Sequence, residues 1–99
     1  DASPLVSAQR ELLEETGYGN GTWREFMQIS PNPGTHTNIT YCFLATDVEK
    51  ISEQHLEDTE SLSVHLLTLT EVKELLEKGE IKQALMAAPL WKYIAEKGL

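Results

Sequence analysis

Three carboxylates crowd one short run of the chain. In "SAQRELLEETGY", Ser7 to Tyr18, stand Glu11, Glu14 and Glu15, with Arg10 just ahead of them. Residues three and four apart share one face of an α-helix. Glu11 lies three from Glu14 and four from Glu15, so on a helix these side chains converge. Like charges at such spacing cost roughly a few tenths of a kcal/mol each when no counterion is near. Arg10 reaches Glu14 at i,i+4 and can hold that carboxylate in place. Hard divalent cations such as Mg2+ or Mn2+ take carboxylate oxygens together with water and substrate phosphates. A cation held there would polarise a phosphoryl oxygen and lower the pKa of an attacking water. The competing explanation is a solvated surface helix, because Glu is a good helix former and glutamate runs are common on faces turned to water.

The elements that must position these groups follow from periodicity. Ser3-Pro4 is an N-cap followed by Pro at the first helical position, and Leu5, Val6, Ala8, Leu12 and Leu13 recur at helical spacing. Gly17 suits the left-handed position beyond a helix end, so the spacing predicts a helix over Pro4–Thr16. "GYGNG" is a turn cluster without a phosphate-loop pattern. Strands are predicted over Thr22–Ser30 and Asn38–Val48, separated by the breaker "PNPG". Glu49–Glu60 is polar and predicted as loop. Ser61–Leu69 alternates at Leu62, Val64 and Leu66 and is predicted as a third strand. "TEVKELLEKGE" then predicts a helix, with Thr68 and Glu71 at capping-box spacing, and Ile81–Leu99 a last helix, bent at Pro89. The predicted class is α/β: helix, three strands, two helices.

Composition narrows the partners. The 99 residues suffice for one small domain, and 40 % of them are hydrophobic, as in a globular chain. The net charge of −8 disfavours nucleic acid or an anionic membrane as main partner, since either needs a basic face. It is compatible with cations. Cys42 is the one cysteine, which leaves no internal disulfide and no cysteine-based zinc site. No apolar run approaches the ~18 residues of a membrane span, the start "DASPL" is no signal peptide, and a cytoplasmic setting is expected.

The order of residues is more specific than their clustering. "RELLEETGY", Arg10 to Tyr18, resembles the second half of the Nudix box, Gly-x5-Glu-x7-Arg-Glu-U-x-Glu-Glu-x-Gly-U, where U is aliphatic or aromatic. Arg10, Glu11, Leu12, Glu14, Glu15, Gly17 and Tyr18 fill its last seven fixed positions in order. The first half departs: the earlier Glu falls on Ala2, and the initial Gly would precede residue 1. The resemblance implies an α/β/α sandwich that cleaves nucleoside diphosphates linked to another moiety, with Mg2+ or Mn2+. By box position it makes Glu11, Glu14 and Glu15 metal ligands, and Arg10 an ion-pairing residue that orients a carboxylate.

The rest of the chain is similar to the ADP-ribose pyrophosphatase branch. Pro33 lies 15 residues after Tyr18 inside "SPNPG", where that branch often has Ser-Pro-Gly. "LEDTESLSVHLLTLTEVKELLEKGEI" resembles the branch's acidic loop, strand and closing helix. The resemblance implies that Glu57 or Glu60, with Asp58 between them, supplies a general base or a further metal ligand, Glu60 being preferred for its place just before the strand. The expected substrate is ADP-ribose, giving AMP and ribose 5-phosphate. The alternative is a catalytically inactive Nudix-like module that binds a nucleotide or a partner, motivated by Ala2.

The remaining candidates carry less. His36, His55 and His65 show no metal-ligand spacing, although His36 beside Pro33 could touch a substrate. Cys42 in an apolar strand reads as core, Trp23 and Trp91 as packing or interface residues, and Lys73, Lys78 and Lys82 as facing water. A complete domain of this family has further strands ahead of the box helix. Residues 1–99 are therefore expected to be the carboxy-terminal part of a single Nudix domain, inactive in isolation. They should expose an apolar edge or face and associate, with a homodimer as the expected assembly.

Overall fold

The first helix starts where Ser3 and Pro4 place it. In the computed structural model, which describes residues 3–31, 34, 38–57 and 61–99, α1 runs Pro4–Thr16. The Ser3 hydroxyl accepts the Val6 N–H at 3.2 Å, satisfying one of the unpaired donors of the first turn. At the other end Gly17 adopts φ +81°, and its N–H donates to the Leu13 carbonyl at 2.8 Å. No residue of α1 is buried.

Among the described residues four strands follow or interleave: β1 (Tyr18–Gly19), β2 (Thr22–Ile29), β3 (Thr40–Thr46) and β4 (Glu49–Lys50). β2 pairs with β3, and the Thr46 hydroxyl at the end of β3 approaches the Thr22 carbonyl at the start of β2, so the two run antiparallel. β1 pairs antiparallel with β4, Tyr18 opposite Lys50 and Gly19 opposite Glu49. The turn-rich "GYGNG" and the polar "EK" hide this second pair from a hydrophobicity pattern, because strands of two residues carry no alternation.

The predicted third strand over Ser61–Leu69 does not form. Residues 61–68 adopt no strand pairing, and Leu62, Val64 and Leu66 are all exposed, Leu66 by 79 %. Alternation marks a chain that could lie on a sheet, but a strand exists only where its N–H and C=O groups find a neighbouring ladder. The class stands: three helices with short antiparallel strands among the described residues, consistent with part of the expected sandwich.

Two further helices close the order, α2 (Leu69–Glu77) and α3 (Ala84–Glu96), which pack on each other. The capping box ahead of α2 is formed: the Thr68 hydroxyl accepts the Glu71 N–H at 3.1 Å, and the Glu71 carboxylate accepts the Thr68 N–H at 2.8 Å. α3 continues through Pro89, which offers no N–H to the carbonyl of Leu85. Lys73, expected to face water, donates to the Leu99 carbonyl oxygen at 2.6 Å.

The chain divides into two compact units, Asp1–Phe26 with Phe43–His65, and Met27–Cys42 with Leu66–Leu99. In the first, Phe26 is buried, with the Arg24 guanidinium 5.0 Å from its ring centroid. In the second, Leu76 and Ile94 are buried. These three are the buried apolar side chains of the described residues, against twelve large apolar ones that are exposed.

The cap makes α2 sensitive to acid. The backbone hydrogen bond from Thr68, and then the contact with its side chain, hold the Glu71 carboxyl below its ordinary value. A lowered folded-state pKa contributes stability above the ordinary carboxylate value, and that contribution is lost as pH falls through the folded value. Glu71→Gln keeps an acceptor but cannot titrate. Circular dichroism melts between about pH 5 and pH 3 should show a shallower loss of α2 stability in this variant than in the parent. Equal slopes would remove Glu71 from the acid response.

Candidate active site

α1 carries the proposed cation ligands on successive turns. Glu11 and Glu14 are exposed and Glu15 is partly buried. The predicted ion pair is present: Arg10 Nε lies 3.9 Å from Glu14 Oε1, with the two side chains 60 % and 50 % exposed. Water screens a pair this open, so it adds little stability. Among the described residues no three His, Cys, Asp or Glu side chains are gathered closely enough to hold a metal ion. The donors nonetheless suit a hard cation in kind: three carboxylates on one helix face, two of them on flexible exposed stems.

The structure adds a second element that the sequence did not mark. The last carbonyls of a helix lack partners within it. Here the chain leaving β4 supplies them. Ile51 and Ser52 donate their N–H groups to the Gly17 carbonyl at 2.8 and 3.1 Å, and the His55 N–H donates to the Glu14 carbonyl at 2.6 Å. The Gln54 side-chain amide donates to the Glu15 carbonyl at 2.7 Å. Residues 51–55 thus strap the end of the helix that carries the carboxylates. Glu57 follows His55 by two residues, which keeps its Cα within ~7 Å of that anchor. Glu60, the preferred base candidate, lies outside the described residues, as do Ala2, Pro33, His36 and Asp58.

Sequence reasoning found no metal-ligand spacing at His55 and passed over Gln54. The His55 residue is exposed, yet its backbone N–H is one of the anchors. Neither spacing nor residue type announces this. The available signal was general: a helix ending in Gly leaves carbonyls that some polar segment must satisfy.

A cavity of about 490 Å³ in the same unit is lined by Val6, Gln9, Leu13, Gly19, Trp23 and Ile51 among others. At ~100° per residue, these helix positions lie roughly 150° around α1 from the three carboxylates. The cavity is therefore not at the proposed chemistry, although Arg10 reaches its rim. Trp23, which lines this cavity, donates its indole N–H to the Asn20 carbonyl at 2.8 Å. Cys42 is half-buried, and burial raises its thiol pKa, which keeps it neutral.

Comparison with known proteins bears on the whole chain. A family model, the NUDIX domain, matches residues 1–88. The chain is similar to GDP-mannose pyrophosphatases. It is 27 % identical over 99 residues to that of Enterobacter sp. (strain 638), covering 98 % of the chain and 51 % of the relative. It is 28 % identical over 98 residues to that of Klebsiella pneumoniae subsp. pneumoniae, covering 97 % and 49 %. With that of Salmonella arizonae the identity is 31 % over 81 residues, covering 80 % and 42 %. The chain spans about half the length of the curated relatives it matches.

Proposed function

The chain belongs to the Nudix family, and from that membership we propose that it serves the hydrolysis of a nucleoside diphosphate linked to a sugar, with Mg2+ or Mn2+ as cofactor. One observation carries the reading: a single helix, ended by Gly17, bears Arg10, Glu11, Glu14 and Glu15, and the strap running toward Glu57 is hydrogen-bonded to its last turn. Glu11, Glu14 and Glu15 would hold the cation, which when bound offsets charge on the phosphate oxygens and acidifies water. Arg10 keeps the Glu14 carboxylate on the solvent face of α1. Glu57, or Glu60 from its place in the sequence, takes the proton of the attacking water. Water oxygen bonds to one phosphorus of the pyrophosphate, the bridging P–O bond breaks, and the products are a nucleoside monophosphate and a sugar phosphate. The exposed apolar side chains support association of two copies.

ADP-ribose is the proposed substrate, on the position of Pro33 and the acidic segment. The names of the relatives favour GDP-mannose as the second reading. Both are tested by incubating the full-length protein, of which these residues are expected to be part, with each compound and Mg2+ and resolving products by chromatography. The expected result is AMP and ribose 5-phosphate from ADP-ribose at the higher kcat/KM. Faster release of GMP and mannose 1-phosphate would replace the sugar and base assignment. Cleavage of neither would overturn the enzyme reading. The binding-module alternative, motivated by Ala2, would then be established by calorimetry showing nucleotide binding without Mn2+-dependent cleavage.

A further inference from the structure

The amide of Gln54 makes two hydrogen bonds that no motif requires. Its Nε2 donates to the Glu15 carbonyl at 2.7 Å and to the Leu62 carbonyl at 3.3 Å. One side-chain nitrogen thus ties the last turn of α1 to a chain position eight residues beyond Gln54 itself. The seven residues between Gln54 and Leu62 include Glu57. Their two ends are held together at this nitrogen, and the same nitrogen holds them to the helix of Glu11, Glu14 and Glu15. The His55 N–H, donating to Glu14, fixes the adjoining backbone but does not reach residue 62.

We propose that Gln54 is a positioning residue for the hydrolysis: it closes the neck of the segment that carries Glu57 and sets that segment's distance from the carboxylates of α1. The inference rests on the proposed function. Gln54 is exposed, so its bonds add little to global stability. Their value lies in geometry, and misplacing a catalytic group by about 1 Å can cost a hundredfold in rate. A side chain at this position needs two N–H donors on one reachable nitrogen. Gln supplies them, Lys supplies three, and Glu and Ala supply none.

The test compares Gln54→Ala, Gln54→Glu and Gln54→Lys in the full-length protein, with steady-state kinetics on ADP-ribose and GDP-mannose, thermal melts, and amide exchange at residues 55–57, 61 and 62. Gln54→Ala and Gln54→Glu are expected to lose about tenfold or more in kcat with KM within about twofold. Their melts should match the parent, and exchange at residues 55–57, 61 and 62 should be faster. Gln54→Lys should recover most of the rate and of the protection. If Gln54→Glu does not fold, Gln54→Ala against Gln54→Lys makes the same comparison. A parent that turns over while both donor-free variants keep its kcat overturns the inference, as does a loss that Lys fails to recover. A parent with no turnover overturns the functional reading and this inference with it.

Discussion

Glu15→Gln is expected to lower the rate of nucleoside diphosphate sugar hydrolysis by roughly two to three orders of magnitude. That corresponds to about 3–4 kcal/mol of lost transition-state stabilisation. The substitution keeps size and shape and removes only the charge. In the proposed site, three carboxylates face a cation that must offset the negative charge accumulating on the phosphate oxygens. One carboxamide weakens the cation's grip, because a neutral amide oxygen replaces a charged one. Glu15 is the partly buried member of the three, and the strap bonds its carbonyl through Gln54 as it bonds that of Glu14 through His55. The measurement is a titration of rate against Mg2+ for parent and variant. Turnover of Glu15→Gln equal to the parent's at all Mg2+ concentrations would remove α1 from the chemistry.

Arg10 sharpens the same expectation by contrast. Its pair with Glu14 is 3.9 Å long and open to water on both sides. Such a pair orients without adding much energy. The loss on removing Arg10 is thus bounded by how far Glu14 strays, while the loss at Glu15 is a loss of charge.

Legibility differed between the parts of this chain for physical reasons. α1 was readable to the residue because its signals are local: Ser3 caps, Pro4 starts, apolar residues repeat, and Gly17 ends the helix. The capping box at Thr68 and Glu71 is equally local and formed as read. Ser61–Leu69 failed because alternation speaks only of what a strand needs, and pairing depends on residues far away in sequence. β1 and β4 were invisible for the same reason, being two-residue elements defined by each other. The site divided along this line. The carboxylates on α1 share a face by local geometry, so their spacing revealed them. The strap of residues 51–55 joins positions more than thirty residues apart, from Gly17 to Ile51 and from Glu15 to Gln54, and no pattern within either segment encodes it.

Gly17 links the two kinds of information, and its substitution is expected to have the largest effect on folding. A side chain at φ +81° costs ~1–2 kcal/mol in backbone strain alone. A Cβ there would also overlap the Ser52 carbonyl oxygen and come within 2.8 Å of the Lys50 side chain. Ser52 cannot move aside freely, because it and Ile51 donate to the Gly17 carbonyl. Overpacking of this kind adds roughly 1–3 kcal/mol. The melting temperature of Gly17→Ala should therefore fall by about 10 °C or more. Gly19→Ala is the control in the same unit: its Cβ would meet the flexible end of Ile51, and its backbone is not left-handed. That variant should melt much closer to the parent. Gly17→Asn separates the two causes, since Asn tolerates the left-handed conformation but still carries a Cβ. It should recover only the strain and leave the collision. If Gly17→Asn melts with the parent, the strap does not lie against the end of α1, and the placement of Glu57 near the carboxylates falls with it.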